Sequence, residues 1–138
     1  MKILAVDYGR RRVGLAISDP LGIIAQPYLT LEVKDQVALI KRLKCAIDEN
    51  DVGLVLVGHP VSLRGEPTKI SAEINQFAQL LAKATGITVR LWDERYTSRL
   101  ADRKCRDYGI KPGKKINDRI AASIILEEYL SSNPTPPA

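Results

Sequence analysis

Three acidic residues stand at points where strands are expected to end or a helix to begin. Asp7 directly follows the first apolar run of the chain, Glu94 follows the last short one, and Asp118 lies near the start of an apolar, helix-like segment. Carboxylates at the C-terminal ends of buried strands meet at one edge of a sheet, where they face a common crevice. Their oxygens suit Mg²⁺ or Mn²⁺, and two such ions can hydrolyse a phosphodiester bond. The positions of the three acids therefore predict a metal-dependent nuclease.

Positive charge is concentrated beside two of these acids. The segment 95–119 holds nine basic and three acidic residues, a net charge of +6, while the whole chain carries +5 and the remainder therefore −1. Three consecutive arginines, beginning at Arg10, form a second basic cluster soon after Asp7. Cations beside an acidic pocket suit a polyanionic substrate, because they can hold its backbone. A solvated helix face is the alternative explanation of such a charge run.

Six residues near the acids are candidates for contacts with nucleic-acid phosphates. They are Arg10, Arg95, Thr97, Ser98, Lys114 and Lys115. Thr97 and Ser98 stand where a helix is expected to begin, so their hydroxyls and the local N–H groups can bind a phosphate. The same two residues can also cap that helix, and the two roles are compatible. One Trp and one Phe in the chain offer little surface for base stacking, so sequence-specific reading of single strands is not expected.

The apolar pattern predicts three strands, followed by helices that alternate with two further strands. Strands are predicted at 2–6, 13–17, between 28 and 33, at 52–57 and at 87–92, and helices at about 35–50, 70–81, 98–108 and 117–131. The first two strands are close enough to form an antiparallel hairpin, and the later ones require βαβ crossovers. The sequence therefore predicts the α/β class, with a mixed five-stranded sheet and helices on its faces. Residues 1–131 are expected to form a single domain and residues 132–138, with three prolines, a disordered tail.

Membrane and secretory segments are not expected. The sequence contains no run of 18 apolar residues and no charged segment leading into an apolar one at its start. Cys45 and Cys105 fall in separate predicted helices and form no CxxC or Cys/His pattern. They are interpreted as two reduced thiols in a cytoplasmic protein.

The acids and their flanking residues resemble the motifs of a known family. The residues concerned are Asp7-Tyr8-Gly9, Arg12 to Asp19, Asp93 to Ser98, Asp118 with Ala121-Ala122, and Ile125 to Leu130. In this order they are similar to the motifs of the YqgF/RuvX family, and the resemblance covers residues 2–130. Members are small bacterial proteins with an RNase H-like fold, described as Holliday junction resolvases and as nucleases that mature the 5′ end of pre-16S rRNA. The resemblance implies a three-layer RNase H-like nuclease domain with helices on both faces of the sheet.

The resemblance also implies a role for each acid. In related folds the aspartate of the first strand touches both metals, so Asp7 would lie between two Mg²⁺ or Mn²⁺ ions. Glu94 would hold one ion from the end of the fifth strand, and Asp118 would complete the set. Asp93 is an alternative ligand to Glu94. Structural alternatives are a turn-capping role for Asp7 and a favourable interaction of Asp118 with the dipole of its own helix.

Two positions depart from the pattern of the family, and neither removes a carboxylate. Histidine occupies the middle of Gly58-His59-Pro60, where an apolar residue is usual, and Tyr96-Thr97-Ser98 replaces the usual Leu-Thr-Thr. His59 is interpreted as a loop or partly buried histidine rather than as a catalyst, in keeping with most isolated histidines. Whether it contacts substrate is left open by the sequence.

Several functions are compatible with these residues. Processing of the 5′ end of pre-16S rRNA is favoured, and resolution of branched DNA is the alternative with the same chemistry. A resolvase cuts two opposed strands and is expected to be a symmetric homodimer, whereas an RNA processor need not be. A factor for transcription or ribosome assembly that binds nucleic acid without cleaving it is a second alternative. An actin-like phosphotransferase is disfavoured, because 138 residues are too few for the two lobes that close over ATP.

Overall fold

The computed structural model describes residues 1–59, 69–93 and 118–132, which form a five-stranded sheet and three helices. The strands are β1 (Lys2–Asp7), β2 (Arg12–Ser18), β3 (Ala25–Glu32), β4 (Val52–His59) and β5 (Thr88–Asp93). The helices are α1 (Gln36–Glu49), α2 (Lys69–Thr85) and α3 (Asp118–Ser132). The predicted basic helix at 98–108 lies outside the described residues.

The strand order is β3-β2-β1-β4-β5, with antiparallel pairing from β1 to β3 and parallel pairing of β4 with both β1 and β5. This is the mixed sheet predicted from the sequence, with a hairpin start followed by crossovers, and the predicted fold class is confirmed. Several boundaries differ. The third strand begins at Ala25 rather than after Tyr28, and α3 includes Ser132, which was assigned to the tail. β4 continues beyond residue 57 to His59, which is therefore a strand residue and not a loop residue, and α2 continues beyond residue 81 to Thr85. Residues 133–138 lie outside the described ranges, so the disordered tail stays a prediction.

Alternate residues of β1 point into two separate cores. Leu4 and Val6 lie in a core shared with α1 and α2, whereas Ile3 and Ala5 lie in a second core beneath α3. All four side chains are buried, which explains why β1 is a continuous apolar run. Helices therefore cover both faces of the sheet, as predicted, with α1 and α2 on one face and α3 on the other.

The helix boundaries follow from local capping. The side chain of Asp35 accepts a hydrogen bond from the Ala38 N–H and caps the start of α1. Gly86 has a φ of +72° and its N–H donates to the Ala82 carbonyl, so it ends α2. None of the helices in the described ranges is long and apolar enough to span a membrane.

The turn between β2 and β3 is held by Asp19. Its Oδ1 accepts hydrogen bonds from the Ile24 N–H at 2.8 Å and the Ile23 N–H at 2.7 Å. The bond from Ile24 is the largest cause that lowers the pKa of Asp19 below its ordinary value of 3.8, and the bond from Ile23 adds to it. Because the pKa is lowered on folding, the stability that this carboxylate contributes is complete above the ordinary pKa. It is lost as the pH falls through the folded-state value.

We expect Asp19→Asn to destabilise the protein more at neutral pH than at about pH 2, because the wild-type carboxylate loses its stabilising charge as the pH falls through its lowered pKa. The free energy of unfolding of both proteins, measured by urea titration between these pH values, should converge as the pH falls. A constant difference across the range would contradict this role for Asp19.

Candidate functional site

Asp7 ends the central strand of the sheet and lies on the face covered by α3. It is half-buried, and its register partner on β2 is Gly14. By strand alternation its side chain shares a face with Ile3 and Ala5, both of which pack beneath α3. The sequence prediction that Asp7 stands at a sheet edge is thereby supported, with the addition that Asp7 lies on the face covered by α3.

The C-terminal end of β5 lies at the same edge. His59 ends β4 in register with Asp93, and β4 runs parallel to both β1 and β5. Trp92 packs into the core beneath α3, where its ring meets Tyr129 edge-on with 5.4 Å between ring centroids. The end of β5 therefore approaches the same face of the sheet as Asp7. Glu94, the next residue after β5, lies outside the described residues.

α3 covers the face of the sheet on which Asp7 lies. At its far end, a Cβ placed on Gly22 in the β2–β3 turn would lie 3.9 Å from Leu130 Cδ2. That turn is at the opposite edge of the sheet from Asp7. The 15 residues of α3 extend roughly 22 Å at 1.5 Å per residue, and the six of β1 extend roughly 20 Å. The helix is thus about as long as the strands that it covers, and a position of its first residue, Asp118, beside Asp7 stays a prediction.

The remaining candidate residues are only partly covered by the structure. Outside the described ranges lie Glu94, Arg95, Thr97, Ser98, Lys114 and Lys115, so their roles stay predictions. Within residues 1–59, 69–93 and 118–132, no three His, Cys, Asp or Glu side chains stand together as a metal site would require. The metal site predicted from Asp7, Glu94 and Asp118 includes Glu94, which lies outside these ranges, so it stays a prediction.

Arg10 is the one predicted phosphate contact within the described ranges. It forms an ion pair with an acid that the sequence analysis did not identify. Its guanidinium donates to both carboxylate oxygens of Glu73 on α2, from Nε at 3.1 Å and from Nη2 at 2.9 Å. These hydrogen bonds raise the pKa of Arg10 above its already high ordinary value. Glu73 is the one acid in the α2 sequence, but the two residues are 63 positions apart, so the pairing requires the fold.

Tyr8 directly follows Asp7 and packs on the opposite face of the sheet. Its ring lies 4.6 Å from that of Phe77, measured between centroids, and packs against the core of α1 and α2. Burial raises the pKa of Tyr8, and the nearby Glu73 carboxylate raises it further. His59 is half-buried, as predicted, and its Nε2 is buried with no hydrogen-bond partner in the described part of the chain.

The turn between Asp7 and β2 is tight at Gly9. A Cβ on Gly9 would lie 2.5 Å from the backbone oxygen of Arg12, a distance that real Cβ atoms do not tolerate. Close approach of the backbone, rather than an unusual φ, therefore requires glycine here.

We expect Gly9→Ala to shift this turn and to lower nucleic-acid cleavage about tenfold or more, since small displacements of positioning groups have large effects on rate. Cleavage rates and urea unfolding of the variant should be measured together. Gly86→Asn is a matched control, because asparagine tolerates positive φ and no atom lies within 4 Å of a Cβ at that position. Equal rates for the two variants would contradict the role assigned to Gly9.

Comparison with known proteins finds similarity along nearly the whole chain. The family model described as "RuvX: Holliday junction resolvase" matches residues 1–132. A protein of Dictyoglomus thermophilum, provisionally named a pre-16S rRNA nuclease, is 38% identical over 135 residues, which cover 96% of this chain and 97% of that protein. A protein of Koribacter versatilis with the same provisional name is 39% identical over 131 residues, covering 94% and 86%.

Solved structures show the same fold. RuvC of Thermus thermophilus superposes with a TM-score of 0.64 at 11% identity, and 98% of each chain is covered. The Holliday junction resolvase of fowlpox virus superposes with a TM-score of 0.55 at 16% identity, covering 96% of this chain and 99% of that one. At these identities the likeness concerns the fold alone.

Proposed function

The chain belongs to the RuvX family and is accordingly a hydrolase of nucleic-acid ester bonds; from this premise we propose that it is a metal-dependent endonuclease acting on the 5′ end of pre-16S rRNA. One observation carries the metal-dependent mechanism. Asp7 ends the central strand of the sheet, and the parallel strands β4 and β5 end at the same edge beside it. The relatives provisionally named pre-16S rRNA nucleases support RNA as the substrate.

We assign Asp7, Glu94 and Asp118 as the ligands of two Mg²⁺ or Mn²⁺ ions. Carboxylate oxygens fit these hard cations, and Asp7 is held at the end of a buried strand, which fixes its position. When bound, the ions would supply activation of water and stabilisation of charge on the leaving oxygen. The role of the chain is to fix the carboxylates, while Arg10, Arg95, Thr97, Ser98, Lys114 and Lys115 hold the phosphates on either side.

Strand alternation favours Glu94 over Asp93 as the ligand. Trp92 packs on the α3 side of the sheet, which is also the side of Asp7. Successive residues of a strand point to opposite faces. If the chain stayed extended for one further residue beyond β5, position 94 would share the face of Trp92 and Asp7, and this supports the choice of Glu94.

The experiment that tests this function compares two substrates under the same conditions. A labelled fragment spanning the 5′ end of pre-16S rRNA and a synthetic four-way DNA junction are incubated with Mn²⁺ or with EDTA, using the wild type and Asp7→Asn. RNA cleavage that requires both the metal and Asp7 supports the proposal. Symmetric cuts in the junction would instead favour the resolvase named in the family description. Binding of both nucleic acids without cleavage would favour a binding factor.

Oligomeric state provides a second criterion. A resolvase is expected to form a symmetric homodimer because it cuts two opposed strands, whereas 5′ processing of RNA requires one active site. We propose that one copy of the chain is sufficient and that it acts in the cytoplasm, in keeping with the free thiol of Cys45. Light scattering of the protein alone and with the RNA fragment tests the stoichiometry, and a dimer in both samples would favour resolution.

A further inference from the structure

Arg10 and Glu73 form a two-point ion pair that joins the β1–β2 turn to the start of α2. Both carboxylate oxygens of Glu73 accept hydrogen bonds from the guanidinium, at 3.1 and 2.9 Å. A phosphate offers two oxygens to a guanidinium in the same forked arrangement. The carboxylate of Glu73 therefore occupies the position that a phosphate would take on Arg10.

This ion pair is exposed to solvent, so a phosphate can reach Arg10 and replace Glu73. The Arg10 and Glu73 side chains are 63% and 41% exposed. Exposed ion pairs contribute little to stability, because water and salt screen them. The fold therefore does not depend on the pair, and Arg10 can pass from one anion to another.

The pair also lies close to the proposed catalytic edge. Arg10 follows Asp7 by three residues, so their Cα atoms are at most roughly 11 Å apart, given about 3.6 Å per residue in an extended chain. A phosphate on Arg10 would thus belong to the same stretch of nucleic acid as the phosphate at Asp7. Glu73, by contrast, would repel that stretch once it is displaced.

We propose that Glu73 is an internal competitor for the phosphate site on Arg10 and is displaced when nucleic acid binds. The inference rests on the proposed function, because it requires nucleic acid at the Asp7 edge. In the free protein Glu73 neutralises Arg10. On binding, Arg10 exchanges a carboxylate for a phosphate, so the net gain in affinity is smaller than an unpaired arginine would give. Glu73 thereby weakens the binding of nucleic acids that contact Arg10 alone. Substrates that make further contacts with the protein still bind tightly.

The test is a double-mutant cycle on nucleic-acid affinity. Wild type, Glu73→Gln, Arg10→Ala and the double variant are titrated against the fluorescein-labelled RNA fragment and the four-way junction in EDTA, where binding is measured without cleavage. We expect Glu73→Gln to bind about two- to fivefold tighter, the range that corresponds to one exposed ion pair. With the junction, the plot of log affinity against log salt concentration should steepen by about 0.9, because Arg10 then neutralises a phosphate with its full charge.

Controls separate this role from general effects of charge and structure. Glu49→Gln changes the net charge by the same amount on an exposed residue of α1, and it should leave affinity nearly unchanged. Urea unfolding should be similar for all single variants. If Glu73→Gln binds no tighter than Glu49→Gln, or if its gain persists without Arg10, the competitor role is overturned while the nuclease proposal stands. If the wild type binds neither nucleic acid, both are overturned.

Discussion

Replacing Asp7 by asparagine is expected to abolish cleavage while leaving the fold intact. Asparagine has nearly the same shape and keeps one oxygen, but it lacks the negative charge that a divalent cation requires. Asp7 is half-buried at the end of β1, so its position is fixed by the core beneath it. We expect a rate loss of at least about 10²- to 10³-fold, comparable to the removal of one group that stabilises transition-state charge.

Single-turnover cleavage of the RNA fragment in Mn²⁺ measures this loss. Asp19→Asn is the matched control, since it makes the same chemical change at the opposite edge of the sheet and should retain most of the rate. Urea unfolding of both variants shows whether each protein is folded in the assay. If Asp7→Asn kept more than a tenth of the wild-type cleavage rate, a direct role of Asp7 as a metal ligand would be contradicted.

Truncation of Phe77 to alanine is expected to cause a large loss of stability. The Phe77 side chain is completely buried in the core between the sheet and α2, and Tyr8 lies on its ring. Removal of a buried phenyl ring typically lowers the free energy of unfolding by about 3–5 kcal/mol. Since small domains are stable by roughly 5–15 kcal/mol, this change would leave a marginal protein.

Urea titration compares this variant with Leu80→Ala, which lies on the same helix at 47% exposure and should change stability little. Phe77→Leu is a milder variant, for use if the alanine protein does not fold, and is expected to fall between the two. Similar midpoints for Phe77→Leu and the wild type would contradict the importance of this packing. A cleavage rate for Phe77→Leu that falls more than its folded fraction would show that Tyr8 transmits the change to Asp7.

Much of the sheet could be predicted because its central strands have simple patterns. β1 and β4 are buried on both faces and read as continuous apolar runs, and β2 alternates with period two. The start of β3 was missed because Ala25, Gln26 and Pro27 are not typical of a buried strand. They are tolerated because β3 is an outer strand of the described sheet. Its backbone N–H and C=O groups on one side therefore need no partner strand.

The candidate site could be predicted only as far as local sequence determines it. Asp7 was identified because it ends an apolar run, and that property is local. The pairing of Arg10 with Glu73 depends on how α2 lies against the β1–β2 turn, which no short-range pattern encodes. Likewise, the sequence alone does not show that Asp7 lies on the face covered by α3, because this requires the position of α3 on the sheet.

The order of elements along the chain has a consequence for biosynthesis. β1, with Asp7, is made first, whereas α3 is the last described element and covers the same face of the sheet. A nascent chain on the ribosome therefore has no closed site until α3 has emerged and docked. If the proposed function is correct, the enzyme becomes active against ribosomal RNA only after α3 has been translated. The ribosome that makes it is thus not exposed to a functional nuclease while the elements from β1 to β5 are being made.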